Sequence, residues 1–253
     1  MHTVRNSSHD LGWGRFLIQL GTVGLLYLLA ALPVVLIWGN TGDDGQLQLG
    51  STGNAMAIAV SMAFALLACW FWLRRDGALS EAWNLRMPEM GWPKTLLFAA
   101  LATIAIIGWF NLGGRMLEAM GLALPDVAGV LGWVTESNFH FLLWIIAVAI
   151  FAAGIGEELL LRGFMIDRLN RLKGLQGRMW PIIFIQAAIF GSLHVYQGLG
   201  GIIITGVVAI GFGWLRYRCN GNLWACIVAH IAVDVIMMSL AYASKLGHLN
   251  FAS

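Results

Sequence analysis

The sequence predicts an all-α membrane protein, a polytopic bundle of about seven transmembrane helices. Of its 253 residues, 59% are hydrophobic and only 11% are charged, whereas a soluble domain carries about 25% charged residues. Apolar runs long enough to cross a hydrocarbon core of about 30 Å recur between short polar segments. Length gives no case for a second domain, so we expect residues 1–253 to form a single membrane domain.

The apolar runs set the order of the predicted elements, each bounded by polar, glycine-rich or proline-containing stretches. In chain order, the predicted spans are 15–38, 55–73, 94–112, 139–157 with an extension towards 170, 179–197, 200–215 and 222–242. A polar stretch precedes the first run and no small-residue cleavage site follows it, so no cleavable signal peptide is expected. The semi-apolar stretch 113–138 is predicted to hold a short interfacial helix. An eighth span there would have to re-enter the membrane from one side.

Positive charge predicts the orientation of the bundle. With seven spans, every Lys and Arg except Arg115 and Lys245 falls on one side of the membrane. Short loops rich in Lys and Arg face the cytoplasm. The N-terminus is therefore expected in the cytoplasm and the C-terminus outside. The compact length, without a retention signal, favours the bacterial inner membrane as the location of this multi-pass protein.

The ionisable residues inside the apolar runs are the candidate functional residues. They are Glu157 and Glu158, His194, His230 and Asp234, with Arg162 one turn after the acids. Each alone has a structural explanation, because a membrane histidine often hydrogen-bonds a neighbouring helix. Charge is costly within apolar spans, however, and such residues tend to be paired or functional. Their convergence in a chain so poor in charge predicts a functional cluster.

The spacing predicts how these side chains are oriented. Three pairs stand four residues apart and so share a helix face: Glu158 and Arg162, Phe190 and His194, and His230 and Asp234. An acid that precedes a base at this spacing favours an ion pair. Glu157 is rotated by about 100° from Glu158 on an α-helix. We therefore expect Glu158 to pair with Arg162 while Glu157 faces a cavity.

The residue types predict hydrolytic chemistry. Counted along α-helices, Glu157, His194 and His230 lie roughly 20, 22 and 14 Å deep, so they can meet near the middle of the membrane. A carboxylate beside two imidazoles can act as a general base on water. The same three side chains are also candidate ligands for a divalent metal such as zinc, which lowers the pKa of bound water.

Other nucleophiles are less favoured. Ser192 and Ser239 lack the sequence context of a nucleophile elbow. Cys226, near His230, is a weak thiol alternative. A transporter would be expected to have interrupted helices at matching positions in its two halves. The two halves of this sequence show no such pair. Basic clusters suit topology and anionic lipid, and nucleic-acid binding is not expected.

The motifs resemble a known family. Glu157-Glu158-x-x-x-Arg162, then Phe190-x-x-x-His194, then His230-x-x-x-Asp234 is similar to the three-motif signature of the CPBP family. This family, formerly called Abi, contains type II CAAX prenyl proteases and bacteriocin-processing intramembrane endopeptidases. The resemblance covers about residues 139–240, and we expect the catalytic-motif core to span 139–242. The first ninety or so residues match only as a general membrane frame.

The resemblance implies a role for each matching residue. Glu157 would activate water with His194, while His230 and Asp234 would bind or polarise the scissile carbonyl. Glu158 and Arg162 would support the site, and Phe190 would shape its cavity. The family usually has Asn at the position of Asp234, and an ionised carboxylate cannot donate a hydrogen bond to an oxyanion. Asp234 would then either donate when protonated or orient His230.

The leading prediction is therefore an intramembrane endopeptidase acting on a peptide or membrane-protein substrate within or near the lipid bilayer. The substrate could be a prenylated C-terminus, a leader peptide or a membrane-protein segment, and the sequence does not select among these three. One alternative is a non-catalytic relative that binds a peptide or partner, as in self-immunity. The other is a small proton-coupled transporter using Glu157 and Asp234.

Overall fold

The computed structural model describes residues 10–42 and 45–248. The predicted polar stretch before residue 10 lies outside the described residues, as do Asp43 and Asp44 of the predicted first loop. The described chain is a helical bundle whose only sheet there is a two-stranded hairpin. The predicted all-α polytopic class is confirmed.

The elements follow the predicted order with somewhat different ends. In chain order they are α1 (Trp13–Trp38), β1 (Gly39–Thr41), β2 (Leu47–Leu49), α2 (Ser51–Arg75), α3 (Leu79–Ala82), α4 (Trp92–Ala119), α5 (Ala128–Val134), α6 (Asn138–Leu143), a π-helix (Trp144–Met165), α7 (Ile166–Arg171), α8 (Met179–Leu193), a 3₁₀ turn (Val195–Gln197), α9 (Gly198–Arg218) and α10 (Trp224–Lys245).

Six continuous helical segments of the described chain are long and apolar enough to cross a membrane. They correspond to the predicted spans apart from the fifth, where helix α8 is apolar but has only 15 residues. The predicted fifth span, 179–197, is too long because the α-helix ends at Leu193. The count of seven spans and the orientation stay predictions. The predicted short helix within 113–138 is present as α5.

The central helix runs from Asn138 to Arg171 through α6, the π-helix and α7. In its middle part the backbone pairs five residues apart instead of four, and the N–H of Ile166 closes the last such turn on the carbonyl of Leu161. The indole Nε1 of Trp83 donates to the carbonyl of Leu159 at 2.9 Å, so a neighbouring segment binds this backbone too. Both acids of the predicted cluster lie on this π-helix.

A buried polar network joins the first two helices to the end of the central helix. Arg168 is fully buried and its Nη1 donates to Asp76 Oδ2 at 2.6 Å, while its Nη2 donates to Asp167 at 2.5 Å. Gln19 Nε2 donates to the same oxygen, Asp76 Oδ2, at 3.0 Å. The N-terminal hairpin of α1 and α2 is therefore fixed against the helix that carries the candidate site.

Candidate active site

Glu158 and Arg162 form the closed side of the site. Both side chains are fully buried, and Arg162 Nη1 donates to Glu158 Oε1 at 3.0 Å. The guanidinium of Arg162 lies between two aromatic rings, 4.9 Å from the centroids of Phe190 and Phe212. A cation at this distance from an aromatic ring is attracted to it, and the guanidinium group is well suited to such contacts. The structure thus contains the ion pair that the four-residue spacing predicts, within an aromatic sandwich.

His230 brings helix α10 to the two acids. Its Nδ1 donates to Glu158 Oε1 at 2.7 Å, a charge-assisted hydrogen bond that fixes the ring. Its Nε2 then faces two more carboxylates, Glu157 Oε2 at 3.9 Å and Asp234 Oδ2 at 3.8 Å. The ring of Phe212 stacks on the imidazole with 5.3 Å between centroids. One imidazole therefore contacts or faces all three acids of the cluster.

A glycine allows this close approach of the π-helix and α10. A Cβ at Gly154 would lie 2.2 Å from Ile231 Cγ1 and 3.3 Å from Ile231 Cα. Ile231 is the residue next to His230, so a side chain at Gly154 would push the imidazole away from the acids. The glycine is needed for packing between these helices, as small residues are at membrane helix interfaces.

The exposed fractions of the side chains divide the cluster into a closed and an open side. Glu158 and Arg162 are fully buried, and the His230 side chain is 11% exposed. The side chains of Glu157 and Asp234 are each 25% exposed. Glu157 and Asp234 are therefore partly exposed at one side of the cluster, whereas the ion pair beneath them is not.

His194 lies at a turn and not within a helix. Helix α8 ends at Leu193, and His194 Nδ1 donates to the carbonyl of Phe190 at 3.0 Å. Its ring lies against Phe190, with 4.7 Å between centroids, and against Tyr196 at 5.9 Å. The chain turns here through the 3₁₀ segment into α9, so His194 lies just beyond the helix, and its position within the membrane stays a prediction.

The structure brings together Glu157, Glu158, Arg162, His230 and Asp234. Glu157 and His194 form no ion pair within 4.0 Å, and the imidazole that faces Glu157 is that of His230. The Phe190 ring contacts both the Arg162 guanidinium and the His194 ring. His194 thus joins the cluster through Phe190, and any cooperation with Glu157 requires a molecule between them.

Two of the alternative nucleophiles are engaged elsewhere. The Cys226 thiol is buried and donates to the carbonyl of Phe212, with 3.6 Å between Sγ and oxygen. Ser192 donates to the carbonyl of Ala188 at 2.7 Å within its own helix. Neither side chain is paired with a histidine in the described part of the chain.

The candidate metal ligands Glu157, His194 and His230 do not form a metal-binding arrangement. No three His, Cys, Asp or Glu side chains among residues 10–42 and 45–248 are grouped closely enough to hold a metal ion. His194 forms no pair with Glu157 within 4.0 Å, so the three candidate ligands do not converge on one position. The donor set as arranged does not fit zinc, and we derive no step through a metal.

The sequence pattern did not single out Phe212, which contacts Arg162 and His230, Tyr196, which contacts His194, or the buried Gln186 of α8. Phe212 belongs to an apolar, glycine-rich run that predicts only packing. Gln186 is fully buried, and neither its Oε1 nor its Nε2 has a hydrogen-bond partner among the described residues. A lone amide four residues before Phe190 in an otherwise apolar helix was a signal that could have been used. Tyr196 follows His194 in the turn.

The fold and this cluster together define a polytopic membrane protein with a carboxylate–imidazole site enclosed by its helices. Residues 139–236 match the family described as type II CAAX prenyl endopeptidase, Rce1-like. The match confirms the predicted resemblance and includes every motif residue of the cluster. Neither a curated protein nor a solved structure matches the chain.

Proposed function

We propose that this protein hydrolyses a peptide bond of a membrane-associated substrate with water activated by Glu157. The observation that carries the proposal is the division of labour between the two adjacent acids. Glu158 is buried and bonded to both Arg162 and His230, whereas Glu157 is unbraced and accessible at the open side. The Rce1-like match of the same segment supports an endopeptidase.

In this mechanism Glu157 accepts a proton from water as the water oxygen attacks the scissile carbonyl carbon. A carbon–oxygen bond forms and the carbonyl oxygen becomes an oxyanion. The carbon–nitrogen bond then breaks, and the proton held by Glu157 passes to the leaving amine. The products are a new carboxyl terminus and a new amino terminus, and Glu157 returns to its initial state.

His194 and His230 position the reacting groups. The Nδ1–H of His194 is held by the Phe190 carbonyl, which leaves Nε2 of the neutral ring as an acceptor for the water or the leaving group. The Nδ1–H of His230 is held by Glu158, which turns Nε2 towards Glu157 and Asp234. Asp234 orients His230 from the other side at 3.8 Å.

The proposed substrate is a peptide segment that reaches the bilayer, since the site lies among helices long and apolar enough to span it. The description of the matching family, type II CAAX prenyl endopeptidase, makes a prenylated C-terminal peptide the first candidate. A segment of a membrane protein or a leader peptide fits the same chemistry. We also propose the cytoplasmic, or bacterial inner, membrane as the location.

The test is cleavage of a panel of quenched fluorescent peptides by the purified full-length protein. The panel contains prenylated and unprenylated C-terminal peptides, leader peptides and membrane-protein segments. Glu157→Gln and His194→Ala are compared with the matched variants Glu136→Gln and His248→Ala, whose side chains lie at exposed positions away from the cluster. Loss of cleavage in the first two variants alone supports the proposal. Cleavage that survives Glu157→Gln, or a wild type that only binds peptides, refutes it.

A further inference from the structure

The α3–α4 loop, residues 83–91, binds both helices that carry the cluster. Glu157 and Glu158 lie on the π-helix, whereas His230 and Asp234 lie on α10. Glu157 Oε2 and His230 Nε2 are 3.9 Å apart, so the position of one helix against the other decides whether these two groups face each other. A loop that holds both helices from outside the cluster is placed to set that position.

The first residue of the loop, Trp83, contacts the backbone of the π-helix. Its indole Nε1 donates to the carbonyl of Leu159 at 2.9 Å. The same ring lies against Gly163, where a Cβ would stand 2.6 Å from Trp83 Cδ1 and 3.0 Å from Nε1. The absence of a side chain at Gly163 therefore admits the ring, and the ring binds the residue that follows Glu158.

A π-helix of this length depends on support from its neighbours. Helices that pair residues five apart are rare and mostly one turn long, yet this one continues for 22 residues. Glu158 is fixed by Arg162 and His230, so a return to pairing four apart would turn Glu157 relative to its anchored neighbour. A donor from outside the helix that holds the Leu159 carbonyl opposes such a change.

The following residues of the α3–α4 loop bind the start of α10. Three backbone carbonyls of the loop accept hydrogen bonds from this end of the helix. These bonds run from the Leu223 N–H to Asn84 at 3.1 Å, from the Trp224 indole to Leu85 at 3.0 Å and from the Asn222 side-chain amide to Arg86 at 2.9 Å. One short loop therefore holds the π-helix at Leu159 and α10 at its first residues.

Trp83 also packs into the apolar contact between the two helices. Its ring packs there against a buried group formed by Leu159 of the π-helix with Leu223 and Ile227 at the start of α10, and Ile231 packs against the same group. Ile231 is the residue after His230. The ring that binds the backbone beside the acids thus shares an apolar contact with the segment that carries the imidazole.

We propose that Trp83 is a positioning residue, whose hydrogen bond to Leu159 holds the π-helix in the register that directs Glu157 at His230 Nε2. This inference rests on the proposed hydrolysis, because the effect on rate exists only if Glu157 acts on water. Trp83 takes no part in the bond changes and acts through the backbone beside the two acids. Its loss should therefore slow the chemical step and leave substrate binding unchanged.

The test removes the indole donor while keeping the ring. Benzothienylalanine at position 83 has the shape of tryptophan with sulfur in place of the N–H group, and Trp83→Phe is made beside it. A displacement of a reacting group by about 1 Å lowers the rate by about 10²-fold. We expect a fall of this order in the single-turnover rate constant, which does not depend on the fraction of folded protein, and no change in KM.

The matched control is Trp109, because its indole Nε1 also donates to a helix carbonyl, that of Ile204 at 3.1 Å, and joins α4 to α9. Benzothienylalanine at position 109 and Trp109→Phe should keep the wild-type rate constant and KM. A wild-type rate constant with benzothienylalanine at position 83 overturns the inference. An equal fall in the position-109 proteins, or a loss confined to KM, also overturns it.

Hydrogen exchange of the π-helix amides is measured on the same proteins without substrate. Faster exchange there with benzothienylalanine at position 83 than in the wild type and the position-109 proteins supports the inference, and equal exchange overturns it. A wild type that cleaves no peptide refutes the proposed hydrolysis separately, because the exchange comparison needs no turnover.

Discussion

His230 Nδ1 donates to Glu158 Oε1 at 2.7 Å, so a single carboxylate oxygen receives both this imidazole and the guanidinium of Arg162. The bond joins α10 to the π-helix at the depth of the cluster. It also separates two acids that are neighbours in the chain. Glu158 is committed to the interior of the bundle, and Glu157 is the carboxylate left for a substrate.

The first prediction concerns stability. Glu158→Gln leaves Arg162 buried without its ionic partner, and breaking a buried pair in this way costs about 3–5 kcal/mol. Glu157→Gln removes a partly exposed carboxylate that makes no short hydrogen bond, so its cost should be under about 1 kcal/mol. Unfolding of the two variants in the same detergent measures the difference. Equal stability of the two variants would contradict the structural role assigned to Glu158.

The second prediction concerns the aromatic sandwich around Arg162. Arg162→Lys keeps the positive charge but loses the planar group that lies on Phe190 and Phe212. A desolvated cation–π contact contributes about 2 kcal/mol. The free energy of unfolding of Arg162→Lys should therefore fall by the contribution of at least one such contact. Arg218→Lys is the control, because Arg218 lies 5.8 Å from the exposed ring of Trp214. If Arg162→Lys and Arg218→Lys lowered the free energy of unfolding equally, the proposed contribution of the Phe190 and Phe212 rings would be contradicted.

The third prediction concerns the packing of the π-helix on α10. A methyl group at Gly154 would overlap Ile231, so Gly154→Ala should displace His230 from Glu158. Overpacking of this type costs about 1–3 kcal/mol, and cleavage should fall with it. Gly108→Ala in α4 is the matched control, because nothing lies within 4 Å of a Cβ at Gly108. Wild-type cleavage by Gly154→Ala would show that the helices can separate without harm.

The fourth prediction concerns metal. Among the described residues, no three potential ligands around Glu157 are grouped closely enough to hold a metal ion. Peptide cleavage should therefore continue at the wild-type rate after exhaustive dialysis against a chelator. Loss of cleavage that returns on addition of zinc would contradict this account and restore Glu157, His194 and His230 as ligands.

Much of the site could be predicted because polar residues in apolar helices are few. The four-residue spacing of Glu158 and Arg162 predicts their ion pair, and the structure contains it. The rarity of charge also predicts that His230 and Asp234 meet the acids. Such reasoning needs only composition and helical periodicity.

Other features depend on backbone geometry that periodicity does not encode. The π-helix pairs residues five apart, so the rotation of about 100° between Glu157 and Glu158 assumed for an α-helix does not apply. Helix α8 ends at Leu193, and the next three residues, His194, Val195 and Tyr196, contain no glycine or proline that would predict this end. Phe212 looks like an ordinary packing residue until its ring is found on both Arg162 and His230.

The central claim is that Glu157 activates water and does not itself attack the peptide. A single turnover in heavy-oxygen water, with protein in excess over a cleaved peptide, tests it most directly. The account predicts one heavy oxygen in the new carboxyl terminus of the product and none in the Glu157 side chain, with no product from Glu157→Gln. Heavy oxygen in the Glu157 carboxylate, with an unlabelled first product, would contradict it.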